Sequence, residues 1–195
     1  MTDDDIQRRI EQLNQQAALL YRQGRYEQAT SIANQAGDFA RQHLGEDDPK
    51  LGLSLYNLAL LYRDMGDYDE AEQLWRQALE IYCKTLGEED LSVAYVLNQL
   101  AELHQDVGDY AEAKSLCRRV VEVVGKAVGE DTPDYATSLN NLAVLYGAMG
   151  ENAEAAEALR EAQLMMRERY PDALYWGAFI CQRNVAPLTF QEELT

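Results

Sequence analysis

Residues 54–82 read SLYNLALLYRDMGDYDEAEQLWRQALEIY, and residues 138–166 read SLNNLAVLYGAMGENAEAAEALREAQLMM. Their glycines belong to a series, Gly24, Gly66, Gly108 and Gly150, each 42 residues after the last. Tyrosine follows two residues later in three copies (Tyr26, Tyr68, Tyr110) and Asn152 in the fourth. Alanine follows five residues later in all four (Ala29, Ala71, Ala113, Ala155). A fixed period of this length marks a repeat array. Each unit then contacts mainly its neighbours, so function is expected on a long shared surface and not in one catalytic pocket.

Within a unit the local chemistry reads as two helices. Asp48-Pro49 places an N-cap before a proline suited to the first helical position, and Thr132-Pro133 repeats it. Asp90-Leu91 keeps the cap without the proline. Leu55, Leu58, Ala59 and Tyr62 follow at i, i+3, i+4, i+7 on one helical face. Gly66 stops that helix. Asp67 with Glu70, and Asp109 with Glu112, form capping patterns for the second helix. Tyr68, Ala71, Trp75 and Ala78 are expected on its inward face. Leu44-Gly45, Leu86-Gly87 and Val128-Gly129 end the second helices. The third unit carries His104, Cys117 and Val120 where the second has Tyr62, Trp75 and Ala78. Looser or shifted packing is expected there.

Composition agrees with a packed helical chain. Hydrophobic residues make up 47% and prolines number only 4 in 195 residues, which argues against extensive disorder. The net charge of −17 repels nucleic-acid phosphates and anionic membranes. The start, Met1-Thr2-Asp3-Asp4-Asp5, has neither the basic nor the apolar part of a signal peptide. No apolar run approaches the roughly 18 residues of a membrane span. Cys83, Cys117 and Cys181 are odd in number and far apart, so no disulfide framework is expected and a cytoplasmic location fits best.

The two quoted segments, with the linkers LGEDDP (44–49) and VGEDTP (128–133), resemble tetratricopeptide repeats of the 42-residue kinesin light chain-like kind, over about residues 7–170. The resemblance implies an all-α, right-handed α-α superhelical solenoid of four helix pairs, about 7–44, 49–86, 91–128 and 133–170. Residues 171–186 are expected to form a capping helix, with Leu174, Trp176, Phe179 and Ile180 apolar, and 187–195 an irregular tail.

In such an array the first helix of each pair lines the concave surface. The expected peptide-binding residues are Asn14, Tyr21, Arg22, Tyr56, Asn57, Arg63, Tyr95, Asn98, Gln99, Glu102, Asn140 and Asn141. Ala18, Leu53, Leu60, Asp64, Gln105, Asp106, Thr137, Val144 and Gly147 stand on the same faces. Amides dominate these rows. An amide donates and accepts at once, so it can hold an extended peptide backbone of any sequence. Asparagines of matching "LNNLA" segments line a peptide groove in kinesin light chains, so the resemblance implies the same use. Chaperone-binding tetratricopeptide domains instead grip a carboxylate with Lys and Arg, for which only Arg22 and Arg63 are present. Glu102 and Asp106 point to a partner with at least one basic residue.

Catalytic, metal and cofactor sites are not expected. The chain has no phosphate loop, HExxH, GxSxG or dinucleotide fingerprint. His43 reads as a surface residue; His104 and Cys117 occupy packing positions, which account for them without a catalytic dyad. The acidic linkers Glu46-Asp47-Asp48 and Glu88-Glu89-Asp90 lack the alternation and glycine of a calcium loop. The expected function is a non-enzymatic module that holds a peptide of a partner protein. One alternative is a scaffold that self-associates into a homodimer through its last helix. Another, suggested by the resemblance, is a regulatory arm of an effector such as a caspase-like protease.

Overall fold

The computed structural model describes residues 1–169, by backbone alone at 163 and 165–169. The described residues form eight helices: α1 (Asp3–Arg22), α2 (Tyr26–Leu44), α3 (Pro49–Met65), α4 (Tyr68–Thr85), α5 (Leu91–Asp106), α6 (Tyr110–Val128), α7 (Pro133–Ala148) and α8 (Asn152–Arg169). Each odd-numbered helix pairs with the next across a short turn, and the pairs stack through α2 on α3, α4 on α5 and α6 on α7. The result is an all-α solenoid. The expected capping helix and tail lie outside the described residues.

The helix starts follow from their caps. The Asp48 carboxylate accepts from the Lys50 N–H at 2.8 Å, with Pro49 at the first helical position. Asp90 does the same for the Ser92 N–H at 2.8 Å, and the Thr132 hydroxyl accepts from the Tyr135 N–H at 3.3 Å. At the second helices, Asp109 accepts from the Glu112 N–H, but Asp67 makes no such bond. The two backbones agree closely (φ −83°, ψ 72° and φ −85°, ψ 68°), so only the rotamer of Asp67 departs from the expected cap. Gly66 closes α3 at φ 86°, ψ 6°, a left-handed conformation that strains other residues.

Small residues set the helix crossings. Ala59 on α3 and Ala71 and Ala78 on α4 have no exposed surface, and Trp75 fills the space they leave. Ala101, Ala113, Ala143 and Ala155 repeat the arrangement; the main apolar cluster draws residues from Ile6 to Ala162, and a second one gathers Ala17, Leu20, Ala29, Ala33, Leu58 and Leu61. Tyr26, Tyr68 and Tyr110 are the exception: they are exposed, not inward. They stand at the first residue of each second helix, where the side chain reaches the edge of the layer before the packed stripe begins.

The third unit is not loosely packed. Val93, Val96, Leu97 and Leu100 have no exposed surface, and Cys117 and Val120 are buried in place of Trp75 and Ala78. His104 is buried as well, between carboxylates of two elements: its Nε2 lies 3.6 Å from Glu72 of α4 and its Nδ1 lies 3.7 Å from Asp109. The equivalent contact one unit later is a direct pair, Lys114 Nζ to Glu151 at 2.6 Å, with Lys114 also over the ring of Tyr146.

Volume is exchanged between facing helices. A Cβ on Gly52 of α3 would meet the Tyr82 ring of α4 at 2.8 Å. The equivalent positions hold Ala94 and Val124 in the third unit and Ile10 and Ala40 in the first, so a large residue on one helix accompanies a small one on the other. Gly52→Ala should overpack this crossing and destabilise the chain by about 1–3 kcal/mol. Adding Tyr82→Val should recover much of that loss. Chemical denaturation of the single and double variants checks the coupling, and strictly additive losses would contradict it.

Candidate functional site: the face lined by the first helices

Helix α1 is tied to α3, and α3 to α5, by polar contacts across units. The Tyr21 hydroxyl of α1 donates to the Asp64 carboxylate of α3. Arg63 of α3 reaches α5, with Nη1 2.9 Å from the Gln99 oxygen and 3.0 Å from Glu102. It also lies 3.5 Å from Asp64 and sits over the Trp75 ring at 5.9 Å. One guanidinium therefore joins units two and three and packs on the core.

Most of the expected peptide-binding residues share this face. Arg22 and Tyr95 are exposed. Tyr21, Tyr56, Asn57, Arg63, Asn98, Gln99, Glu102, Asn140 and Asn141 are half-buried. Asn14 differs: it is 6% exposed, and its Oδ1 is buried without a hydrogen-bond partner among the described residues. Leu13, Asn14, Ala17 and Ala18 are all buried, so the packed arc of α1 is wider than the spacing of its large apolar residues suggests. Ala18 and Leu60 are buried too, and cannot present their side chains as a surface row would. Along the equivalent positions Ala18, Leu60, Glu102 and Val144 the side chain passes from buried to half-buried to exposed, so the face opens towards the fourth unit.

Burial controls the titration of the face. It pushes the Tyr56 hydroxyl up to about 12, with the Glu102 charge adding to it, and the Tyr21 hydroxyl up to about 12, helped by Asp64. The Glu102 carboxyl is held above its usual range because burial outweighs the Arg63 guanidinium beside it. Glu102 is thus committed within the face, and Asp106, exposed and unpaired among the described residues, is the acid left for a basic partner. Burial also pushes the Cys117 thiol up to about 12, so it is no nucleophile near neutrality. Among the described residues no His/Cys/Asp/Glu group could hold a metal ion, and no helix is long and apolar enough to cross a membrane.

The exposed apolar side chains Leu53 and Val144 belong to the same face as Tyr95. The pairing of Tyr21 with Asp64 was not anticipated. An offset of one repeat plus one residue between a donor and an acceptor near the helix ends is the sequence signal that could have indicated it.

A tetratricopeptide repeat family model matches residues 10–84 and 92–174. The chain belongs to that family. Among solved structures, tetratricopeptide repeats of a kinesin light chain from Podosopora anserina, described as nearly identical TPR-like repeats, are 26% identical at a TM-score of 0.72, covering 83% of this chain and 77% of theirs. BtubC (BKLC) from P. vanneervenii is 22% identical at a TM-score of 0.72; the match covers 82% of this chain and 63% of BtubC. Aspartyl phosphate phosphatase F from Bacillus subtilis shares the fold at 15% identity and a TM-score of 0.73, over 88% of this chain and 44% of its own. No curated protein matches in sequence. The repeats are of the kinesin light chain-like kind, and tetratricopeptide arrays generally act by holding other proteins.

For a carboxyl held above its ordinary value in the folded state, stability is greatest below the unfolded value and falls as pH rises through the folded one. Glu102→Gln keeps an acceptor for Arg63 and should melt at or above wild type at neutral pH. Arg63→Ala leaves Glu102 and Gln99 without their donor and should cost about 1 kcal/mol, solvent screening at the half-exposed carboxylate included. Thermal melts at neutral pH check both. A clear drop for Glu102→Gln would show that the ion pair outweighs the burial.

Proposed function

We propose that the chain is a non-catalytic interaction module that holds a peptide segment of a partner protein on the face of α3, α5 and α7. The observation that carries this reading is the alternation on that face of half-buried amides with exposed apolar side chains. Asn98, Asn140 and Asn141 offer donors and acceptors for a peptide backbone, while Leu53, Tyr95 and Val144 offer apolar contact beside them. Asn57 joins them with its amide nitrogen buried and unpartnered among the described residues, so the second unit contributes its carboxamide oxygen more readily than its N–H. Arg63 is engaged by both Asp64 and Glu102, so it is not free for a carboxylate clamp, which favours recognition of backbone and apolar side chains.

The test is a peptide selected from a random display library against the wild-type chain. Its affinity for the Asn98→Ala, Asn140→Ala double variant should be about tenfold weaker, with the helical circular dichroism of the chain unchanged. Equal affinity for the two proteins would remove the groove reading.

A further inference from the structure

Where each first helix hands over to its second, the chain repeats a short segment: Asp64-Met65-Gly66-Asp67-Tyr68-Asp69-Glu70, then Asp106-Val107-Gly108-Asp109-Tyr110-Ala111-Glu112. The glycine turns bring both segments to one edge of the solenoid, at the junctions of α3 with α4 and α5 with α6. Large apolar side chains stand out from this edge: Met65 at 41%, Tyr68 at 37%, Val107 at 53% and Tyr110 at 41% exposure; in the first unit Arg22 and Arg25 precede Tyr26, so the acidic character belongs to units two and three. The edge is continuous across units. The Thr30 hydroxyl lies 3.5 Å from the Met65 sulfur, Arg76 lies 3.9 Å from Glu112, and Lys114 pairs with Glu151.

Within these two segments the charge has one sign. Each of the two segments carries three or more acids and no lysine or arginine. Asp67, Asp69, Glu70 and Asp106 make no hydrogen bond or ion pair through their side chains among the described residues. Cations beside the segments are already engaged: Arg63 with Asp64 at 3.5 Å and Glu102 at 3.0 Å, Arg76 with Glu72 at 2.7 Å and Lys114 with Glu151 at 2.6 Å. The edge therefore combines an apolar row with uncompensated negative charge. A surface of this kind repels anionic partners and attracts cationic ones, and a tyrosine face accepts an ammonium or guanidinium group as well as apolar contact.

From this we infer that the turn edge is a second docking surface, for a protein segment that places lysine or arginine on either side of apolar residues. It is separate from the proposed groove and does not depend on it. The tyrosines take the apolar residues of the segment, and Asp67, Asp69 and Glu70 take its cations.

A synthetic amphipathic peptide of leucine and lysine, labelled for fluorescence anisotropy, is the probe, at physiological salt. Tyr68→Ser with Tyr110→Ser should weaken its binding about tenfold. Asp67→Asn, Asp69→Asn and Glu70→Gln together should do the same, and the Asn98→Ala, Asn140→Ala variant should bind as wild type. A peptide with serine in place of leucine should bind weakly to every variant. If the tyrosine variant loses helicity, the acid variant, altered only on exposed side chains, decides. Equal binding of the probe to all variants would reduce the effect to general attraction by an acidic chain and overturn the proposal. So would a loss confined to the asparagine variant. A molecular mass that doubles with concentration in wild type and not in the tyrosine variant would assign the edge to a second copy, and overturn the basic partner.

Discussion

The close crossing of paired helices on small residues governs everything else in this molecule. Ala59 and Ala71 have no exposed surface, and alanine recurs at their equivalent positions through the chain. Any larger side chain there would push the helices apart. Because the crossing is tight, the large residues must go between units or out to the surface. Trp75 fills the inter-unit space in the second repeat. Where the third unit has Cys117 at that place, Val120 and a set of fully buried leucines and valines keep the density. The same constraint explains the exchange of bulk between Gly52 and Tyr82, since a crossing of fixed separation conserves volume and not identity.

Stacking such units aligns equivalent positions into rows, and the rows differ in character. On the first-helix face, amides and apolar side chains alternate around one guanidinium. Arg63 neutralises Glu102 there and leaves Gln99 with its oxygen engaged. At the turn edge of the second and third units, tyrosine and acid repeat with no base within either segment. A single repeated sequence thus produces two surfaces of different chemistry, one whose central base is paired with acids and one whose acids have no base among them.

How far the chain could be read in advance follows from the range of each interaction. Caps act within three residues, so Asp48, Asp90 and Thr132 could be recognised from their neighbours alone. The glycine stops and buried alanines follow from the period. The tyrosines could not be placed the same way. At the first residue of a helix, periodicity does not distinguish an inward side chain from one at the edge, and Tyr68 and Tyr110 turn out to be exposed. Within the candidate site, the amide rows were legible because equivalent residues align. The burial of Asn14 was not, because it depends on how wide an arc of α1 is covered. The ties from Tyr21 to Asp64 and from Arg63 to Glu102 depend on side chains meeting across units, which spacing within one repeat does not report.

The joint at His104 has a consequence for the order of the repeats. After the third unit, Lys114 faces Glu151 directly; after the second, Glu72 faces Asp109 with the imidazole of His104 between them. The two joints are built from different complementary sets, although the backbone is the same. Moving the second unit to stand before the fourth would set Glu72 against Glu151 with Tyr146, not an imidazole, between them. The repeats are alike in shape but are not interchangeable parts: their faces carry a code that specifies which unit follows which.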